Sequence, residues 1–236
     1  MKTLAILPVK GNSTRTPRKN VLPVGSYSNG ITEIKFEQLV KCKYVDCIFT
    51  SSDSDELLNI IKDTATKLNC TKPVYYNKRP AEYAGDCHTD KWVKYFSTQI
   101  TEIPDIEDVL FVHATSPFFD EKEMESFIEE YRTNYSKTKI DSYATCDLIR
   151  NFLWKNGKPW NYDIETQGKW PLTQTLDPLY EINSAGFLFK YNDYIATGDR
   201  LPGTAGFYET NWMASLDIDY PSDFERFKTL WETYRE

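Results

Sequence analysis

Within residues 10–20 the chain gathers Lys10, Arg15, Arg18 and Lys19 around Gly11, Asn12, Ser13 and Asn20. Small residues let backbone N–H groups crowd together and the cations add positive charge, a combination that suits a triphosphate. The loop is not a Walker A sequence, since no Gly-Lys-Ser/Thr triplet closes it, and it is not GxGxxG, so the standard ATPase and dinucleotide readings do not apply. A solvated surface loop is the ordinary explanation for lysines and arginines, but here they coincide with Gly11, Ser13 and the end of the apolar run Leu4-Ala5-Ile6-Leu7, which favours phosphate handling. Far along the chain stand Asp217 and Asp219. As i and i+2 of a predicted strand they point the same way and can share a cation; the alternative is that residues 219–222 merely cap a last helix over 222–234.

Those groups need a scaffold, and the chain predicts one. Strand-like runs at 3–7, 45–50, 73–76 and 109–113 alternate with helical periodicity at 31–41, 53–68, 89–100 and 121–134. In the second helix Leu57, Ile60, Ile61 and Ala65 share a face, and Ser52 or Asp53 offers an N-cap. Such alternation predicts a parallel sheet whose carboxyl edge carries the ligand loops. From 140 to 180 the pattern breaks: Tyr143, Phe152, Trp154, Trp160, Tyr162 and Trp170 are interleaved with Gly, Pro and Asn, which reads as an irregular, strand-containing insertion forming an aromatic mini-core or a covered edge.

With 40% hydrophobic residues, 236 positions suffice for one sizeable core, so 1–236 is expected to be a single domain. A formal net charge of −7 argues against general attraction to nucleic acid and makes Mg²⁺ the natural companion of a polyanionic ligand. No stretch reaches membrane-spanning length, and the N-terminus lacks the apolar core of a secretory signal. Five cysteines, Cys42, Cys47, Cys70, Cys87 and Cys146, show no CxxC pairing or Cys/His cluster, so neither a disulfide framework nor a zinc site is expected. The expected setting is the cytoplasm.

Five blocks in order resemble the acylneuraminate cytidylyltransferases, the CMP-sialic acid synthetase family. The opening strand and loop resemble the family's Ala-Arg-Gly-Gly-Ser followed by Pro-x-Lys-Asn. Phe49-Thr50-Ser51-Ser52-Asp53-Ser54-Asp55-Glu56 looks like Val-Ser-Thr-Asp-Ser-x-Glu, and Arg79-Pro80-Ala81-Glu82, with Asp86 and Thr89 beyond, is similar to Arg-Pro-Ala-Glu-Leu-x-x-Asp. Val112-His113-Ala114-Thr115-Ser116-Pro117 resembles Leu-Gln-Pro-Thr-Ser-Pro, and Ser215-Leu216-Asp217-Ile218-Asp219 resembles Ser-Ile-Asp-Ile-Asp. Together the blocks span nearly the whole chain.

The resemblance implies a Rossmann-like, three-layer αβα nucleotidyltransferase fold with a mainly parallel sheet, and attack by a sugar-acid hydroxyl on the α-phosphorus of CTP with release of pyrophosphate. It implies catalytic roles for Lys19, Asp217 and Asp219, with the two carboxylates holding Mg²⁺. Nucleotide contacts fall to Lys10, Gly11, Asn12, Ser13, Arg15, Asn20, Arg79 and Thr89, with Arg79 placed against the base. Acceptor contacts fall to His113, Thr115, Ser116, Asn183 and Phe187. The family uses the region matching 140–180 for dimer contact, so a homodimer is expected. Thr14 stands where the family carries Lys, with Arg15 one position later. His113 replaces a Gln, Ser184 a Gly and Phe187 a Tyr. The Arg-rich approach of sialate enzymes is here Thr175-Leu176-Asp177-Pro178-Leu179-Tyr180-Glu181. Since a sugar carboxylate needs a cationic or multiply hydrogen-bonded partner, the expected acceptor class extends from sialic and related nonulosonic acids to other acidic surface-glycan precursors. The competing readings are a nucleotide-sugar glycosyltransferase, because Asp217-Ile218-Asp219 is formally Asp-x-Asp, and a non-catalytic nucleotide-binding protein.

Overall fold

The computed structural model describes residues 1–11, 13–84 and 87–234. Along the chain run β1 (Thr3–Val9), α1 (Gly30–Lys41), β2 (Cys47–Ser52), α2 (Asp55–Lys67), β3 (Val74–Lys78), α3 (Thr89–Gln99), β4 (Asp108–Val112) and α4 (Glu121–Lys137). There follow β5 (Ser142–Ile149), the short β6 (Trp154–Lys155) and β7 (Lys158–Pro159), α5 (Ile164–Gln167), β8 (Leu179–Lys190), α6 (Tyr191–Thr197), β9 (Ala205–Glu209) and α7 (Pro221–Tyr234). Among the described residues no helix is long and apolar enough to cross a membrane.

The main sheet has seven strands in the order β3-β2-β1-β4-β8-β5-β9. All its pairings are parallel except those of β8, which runs antiparallel to both β4 and β5. The three-layer architecture can be read from β1 alone, because its alternate residues enter two different cores. Ala5, Leu7 and Val9 pack with α1, α2, α4 and α7 on one face. Leu4 and Ile6 pack on the other with Phe96 and Ile100 around α3 and Tyr194 of α6. Each fully buried Leu or Ile contributes roughly 1.5–3 kcal/mol, so a register slip in β1 would cost both cores at once. Strand order reverses between β1 and β4, and the crevice there opens at the strand ends where the first loop and His113 lie.

Three expectations are corrected. Residues 217–219 are not a strand: their one backbone–backbone hydrogen bond among the described residues runs from Ile218 N to Thr115 O, and their other backbone bonds go to side chains. Alternation survives nonetheless, with Leu216 and Ile218 buried in the core. The α2 N-cap is neither Ser52, which ends β2, nor Asp53, but Ser54, and its side chain makes no cap hydrogen bond. Of the span 140–180, residues 142–149 are β5 of the main sheet and β8 begins at 179, so the excursion is confined to the stretch between them. That stretch carries the β6–β7 pair and exposes Trp154, Trp160, Trp170 and Leu172.

Register also breaks inside β8, where Ala144 opposes Phe187 but Cys146 opposes Ile182. The bulge is satisfied by side chains: Thr145 Oγ1 accepts from Gly186 N at 2.9 Å, and Asn183 Oδ1 accepts from Ala185 N at 3.3 Å. It holds Ser184 at φ 60°, a left-handed conformation in a non-glycine residue, and presents it to the crevice.

Candidate active site

The crevice beyond β1 and β4 holds a cavity of about 440 Å³. Its walls include Lys10, Ser13, Thr14, Arg15, Lys19 and Asn20 from the first loop, Thr89 and Trp92 from α3, His113 and Thr115 beyond β4, and Asp217 with Asp219. The two ends of the sequence that carry the candidate chemistry therefore face one space.

They are also bonded to each other. Lys19 is buried and donates from Nζ to Ile218 O and, at 3.0 Å, to Asp219 Oδ1. Arg15 Nη1 lies 2.7 Å from Asp219 Oδ2, and Thr16 Oγ1 donates to Asp219 O. Both carboxylate oxygens of Asp219 are held by these cations, while at the start of α7 Asp223 Oδ2 accepts from Asp219 N and Tyr220 N. Asp217 is open to the cavity, and its Thr115 neighbour donates to it. Protein packed around the carboxylate raises its pKa, the charge of Asp219 adds to the rise, and the Thr115 hydrogen bond opposes it.

Among the described residues no group of three or more His, Cys, Asp or Glu is placed to hold a metal ion. That donor set still fits Mg²⁺, which usually keeps several waters and takes one or two carboxylates plus substrate phosphates. Asp217 is the more available ligand, since both oxygens of Asp219 are engaged by cations.

The first loop is shaped more than it is exposed. Asp53, one residue past β2, accepts from Gly11 N at 2.8 Å, and its Oδ1 lies 3.6 Å from Arg79 Nη2. A Cβ on Gly11 would come within 2.7 Å of Ser54 Cβ, so only glycine permits this approach. Asn20 Nδ2 is bound to Lys10 O at 2.6 Å, which makes Asn20 a brace of the loop as well as part of the cavity wall. Asn12 lies outside the described residues. Arg18 turns away to pair with exposed Glu56 at 2.8 Å.

Arg79 is buried and donates to Val9 O at 3.2 Å, while its Nε has no partner among the described residues. Burial lowers its pKa and the charge of Asp53 opposes the fall. It lines a smaller compartment of about 140 Å³ with Tyr83 and Ala84, joined to the main cavity through Pro8, Lys10, Trp92 and His113. Tyr83 stacks on Tyr95 with ring centroids 4.3 Å apart, giving this compartment the aromatic and guanidinium surfaces that suit a nucleobase.

On the remaining side the structure rearranges the predicted set. Ser116 is buried in the turn after β4, bonding to His113 O through its amide, and does not line the cavity. Asn183 is spent on the β8 bulge and on Thr210 Oγ1 at 2.8 Å, so it is a brace and not a wall residue. Phe187 lines an adjoining compartment of about 480 Å³ with Asp90, Ser184 and Arg200. His113 Nε2 lies 3.2 Å from Arg200 Nη1, so it accepts and the imidazole is neutral. Burial, then the charges of Arg200, Lys19 and Lys35, push its pKa down to about 3.

Sequence reasoning missed Trp92, Tyr83, Ser184 and Arg200 as wall residues. Trp92 follows Thr89 by one helical turn, a spacing that places both on one side of α3. Arg200 carries no local signal; it reaches the crevice from beyond α6.

The sequence profile of the family described as cytidylyltransferase matches residues 4–233. A bifunctional pseudaminic acid cytidylyltransferase and UDP-2,4-diacetamido-2,4,6-trideoxy-beta-L-altropyranose hydrolase from Helicobacter pylori is 24% identical over 194 residues, 80% of this chain and 34% of that protein. The chain thus spans about a third of the length of this curated relative. Among solved structures, a CMP:2-keto-3-deoxy-manno-octonic acid synthetase complexed with CTP superposes with a TM-score of 0.64 at 9% identity, covering 99% of both chains. A 4-diphosphocytidyl-2C-methyl-D-erythritol synthase from Anaerococcus prevotii gives a TM-score of 0.66 at 12% identity, over 98% of this chain and 96% of that one.

Proposed function

Because this chain belongs to the cytidylyltransferase family, we propose that it transfers CMP from CTP to a hydroxyl of an acidic sugar, releasing pyrophosphate. The observation that carries the proposal is the shared cavity, in which the cationic first loop and Asp217 with Asp219 meet through the Lys19–Asp219 bond.

In this reading the base enters the small compartment between Tyr83 and Arg79, and the triphosphate lies along Lys10, Ser13, Arg15 and Lys19. Asn20 and Asp53 hold the loop in shape. Thr115 orients Asp217 through its hydroxyl. The acceptor oxygen forms a bond to the α-phosphorus as the bond from that phosphorus to the β-phosphate bridging oxygen breaks, pyrophosphate departs, and the acceptor proton passes to solvent. Little covalent work falls to side chains, so positioning and charge neutralisation supply the catalysis. Asp217, with Asp219, would hold Mg²⁺, which would supply charge neutralisation on the triphosphate.

The proposal extends to a homodimer, supported by the exposed tryptophans between β5 and β8, and to a cytoplasmic setting, supported by five cysteines without a pairing pattern. The test is pyrophosphate release from purified protein given CTP, Mg²⁺ and a panel containing sialic acid, pseudaminic acid and 2-keto-3-deoxy-manno-octonic acid. Release with at least one acid, dependent on CTP and absent with UTP, is expected. Silence across the panel overturns the acceptor assignment, and equal rates with UTP overturn the cytidine assignment.

A further inference from the structure

Arg200 lies where the main cavity meets the 480 Å³ compartment and lines both. Its guanidinium carbon sits 4.2 Å from the centroid of the Phe187 ring, with Phe111 at 5.5 Å and Trp92 at 5.7 Å. Three aromatic rings thus pack around the guanidinium, and His113 Nε2 takes one N–H at 3.2 Å. Among the described residues no carboxylate lies within ion-pairing distance of it; Asp199 and Asp90 act on its charge only from farther away. The half-buried guanidinium, for which His113 Nε2 is the one hydrogen-bond partner among the described residues, keeps further donors for an anion in the cavity.

Two anions are available in the proposed reaction, and the surroundings choose between them. The cations suited to the triphosphate are Lys10, Arg15 and Lys19, grouped on the first loop. The compartment beyond Arg200 carries Asp90 and Asp199, whose charges disfavour a polyanion, together with the hydroxyls of Ser184 and Thr197 and an apolar floor that includes Phe187. Acceptors, hydroxyls and apolar surface in a space of this volume suit a polyhydroxylated sugar with acyl or methyl substituents. A planar fork at its entrance matches one carboxylate.

We propose that Arg200 binds the carboxylate of the acidic-sugar acceptor, with Phe187 and His113 as positioning residues and the compartment beyond holding the sugar body. The inference rests on the cytidylyl-transfer reading and deepens it. It also resolves the missing Arg-rich approach at residues 175–181, since the cation arrives from after α6 instead. Only a neutral imidazole can accept from Arg200, and the environment that strips the His113 proton secures that role.

The test compares wild type with Arg200→Gln, Arg200→Lys, His113→Gln and His113→Leu, using the three acids named above and their carboxyl methyl esters. CTP affinity is measured by titration calorimetry with Mg²⁺. Arg200→Gln is expected to raise KM for the acid about 30-fold or more, to erase the wild-type preference for acid over ester, and to leave CTP affinity within about twofold. Arg200→Lys should fall between, and His113→Gln, which keeps an acceptor, should retain low KM where His113→Leu loses about tenfold. A wild-type protein inert with every acid overturns the parent reading and this inference with it. Turnover with unchanged acid KM in Arg200→Gln and Arg200→Lys overturns the inference alone, as does a matching loss of CTP affinity, which would assign Arg200 to the nucleotide.

Discussion

Lys19 Nζ lies 3.0 Å from Asp219 Oδ1, although 200 positions separate them in sequence. The Lys19 side chain is about a tenth exposed and that of Asp219 about a third. Asp219→Ala is therefore expected to cost about 1–2 kcal/mol of stability, allowing for solvent screening, because Lys19 keeps only the Ile218 carbonyl. Asp217→Ala removes a group to which Thr115 donates and which the charge of Lys19 also favours; it should cost about 10²–10³ in turnover while moving Tm by less than about 2 °C. Thermal melts run beside pyrophosphate assays check both, and equal destabilisation would sink this division of labour.

Asp53 links the Gly11 amide to Arg79. Asp53→Asn keeps an oxygen for the amide but loses the charge facing the guanidinium, and Arg79→Lys loses the planar fork. Each should weaken CTP binding about tenfold. Calorimetric titration decides it: unchanged affinity in both variants would remove the small compartment from the nucleotide site.

Ser184 occupies φ 60°. A left-handed conformation costs a residue with a Cβ roughly 1–2 kcal/mol, partly offset by the greater freedom of glycine when unfolded. Ser184→Gly should therefore stabilise the protein by about 0.5–1 kcal/mol, seen as a rise of about 2 °C in Tm. A fall in Tm would mean that the hydroxyl anchors the bulge.

His113 makes stability depend on pH. Unfolded, the imidazole gains its proton near 6.5; folded, it holds out until about 3. The unfolded state thus binds more protons throughout that window, so stability present above about pH 6.5 is lost as pH falls toward 3. The limiting slope is about 1.4 kcal/mol per pH unit, and partial exposure should reduce the loss to about 1 kcal/mol by pH 5. His113→Gln should flatten the curve of Tm against pH over this range. Parallel curves for the two proteins would show that His113 is not protected from protonation.

The parallel half of the sheet is legible in the sequence because buried strands such as β1 and β4 are continuous apolar runs separated by amphipathic helices. β8 is not: its first half is mostly exposed and its register is broken by a bulge, so no period announces it. Lys19, Asp217 and Asp219 stand out because their residue types and order carry information before any contact is known. Asp53 illustrates the opposite case. An Asp before a helix reads locally as a cap, and only a partner 42 residues away, the Gly11 amide, turns it elsewhere. Arg200 is illegible for the same reason, since its neighbours Phe111, His113 and Phe187 are brought to it by three-dimensional folding.

The closure of the crevice by Ile218 and Asp219 has a consequence for biogenesis. A polypeptide still emerging from the ribosome can form β1 and the first loop early, but Lys19 has no carboxylate to meet until synthesis has passed Asp219. Under the proposed function, nucleotide capture by the complete site would come late in synthesis of the chain. Cellular CTP would protect, by mass action, only those molecules translated beyond that point, leaving truncated products to proteolysis.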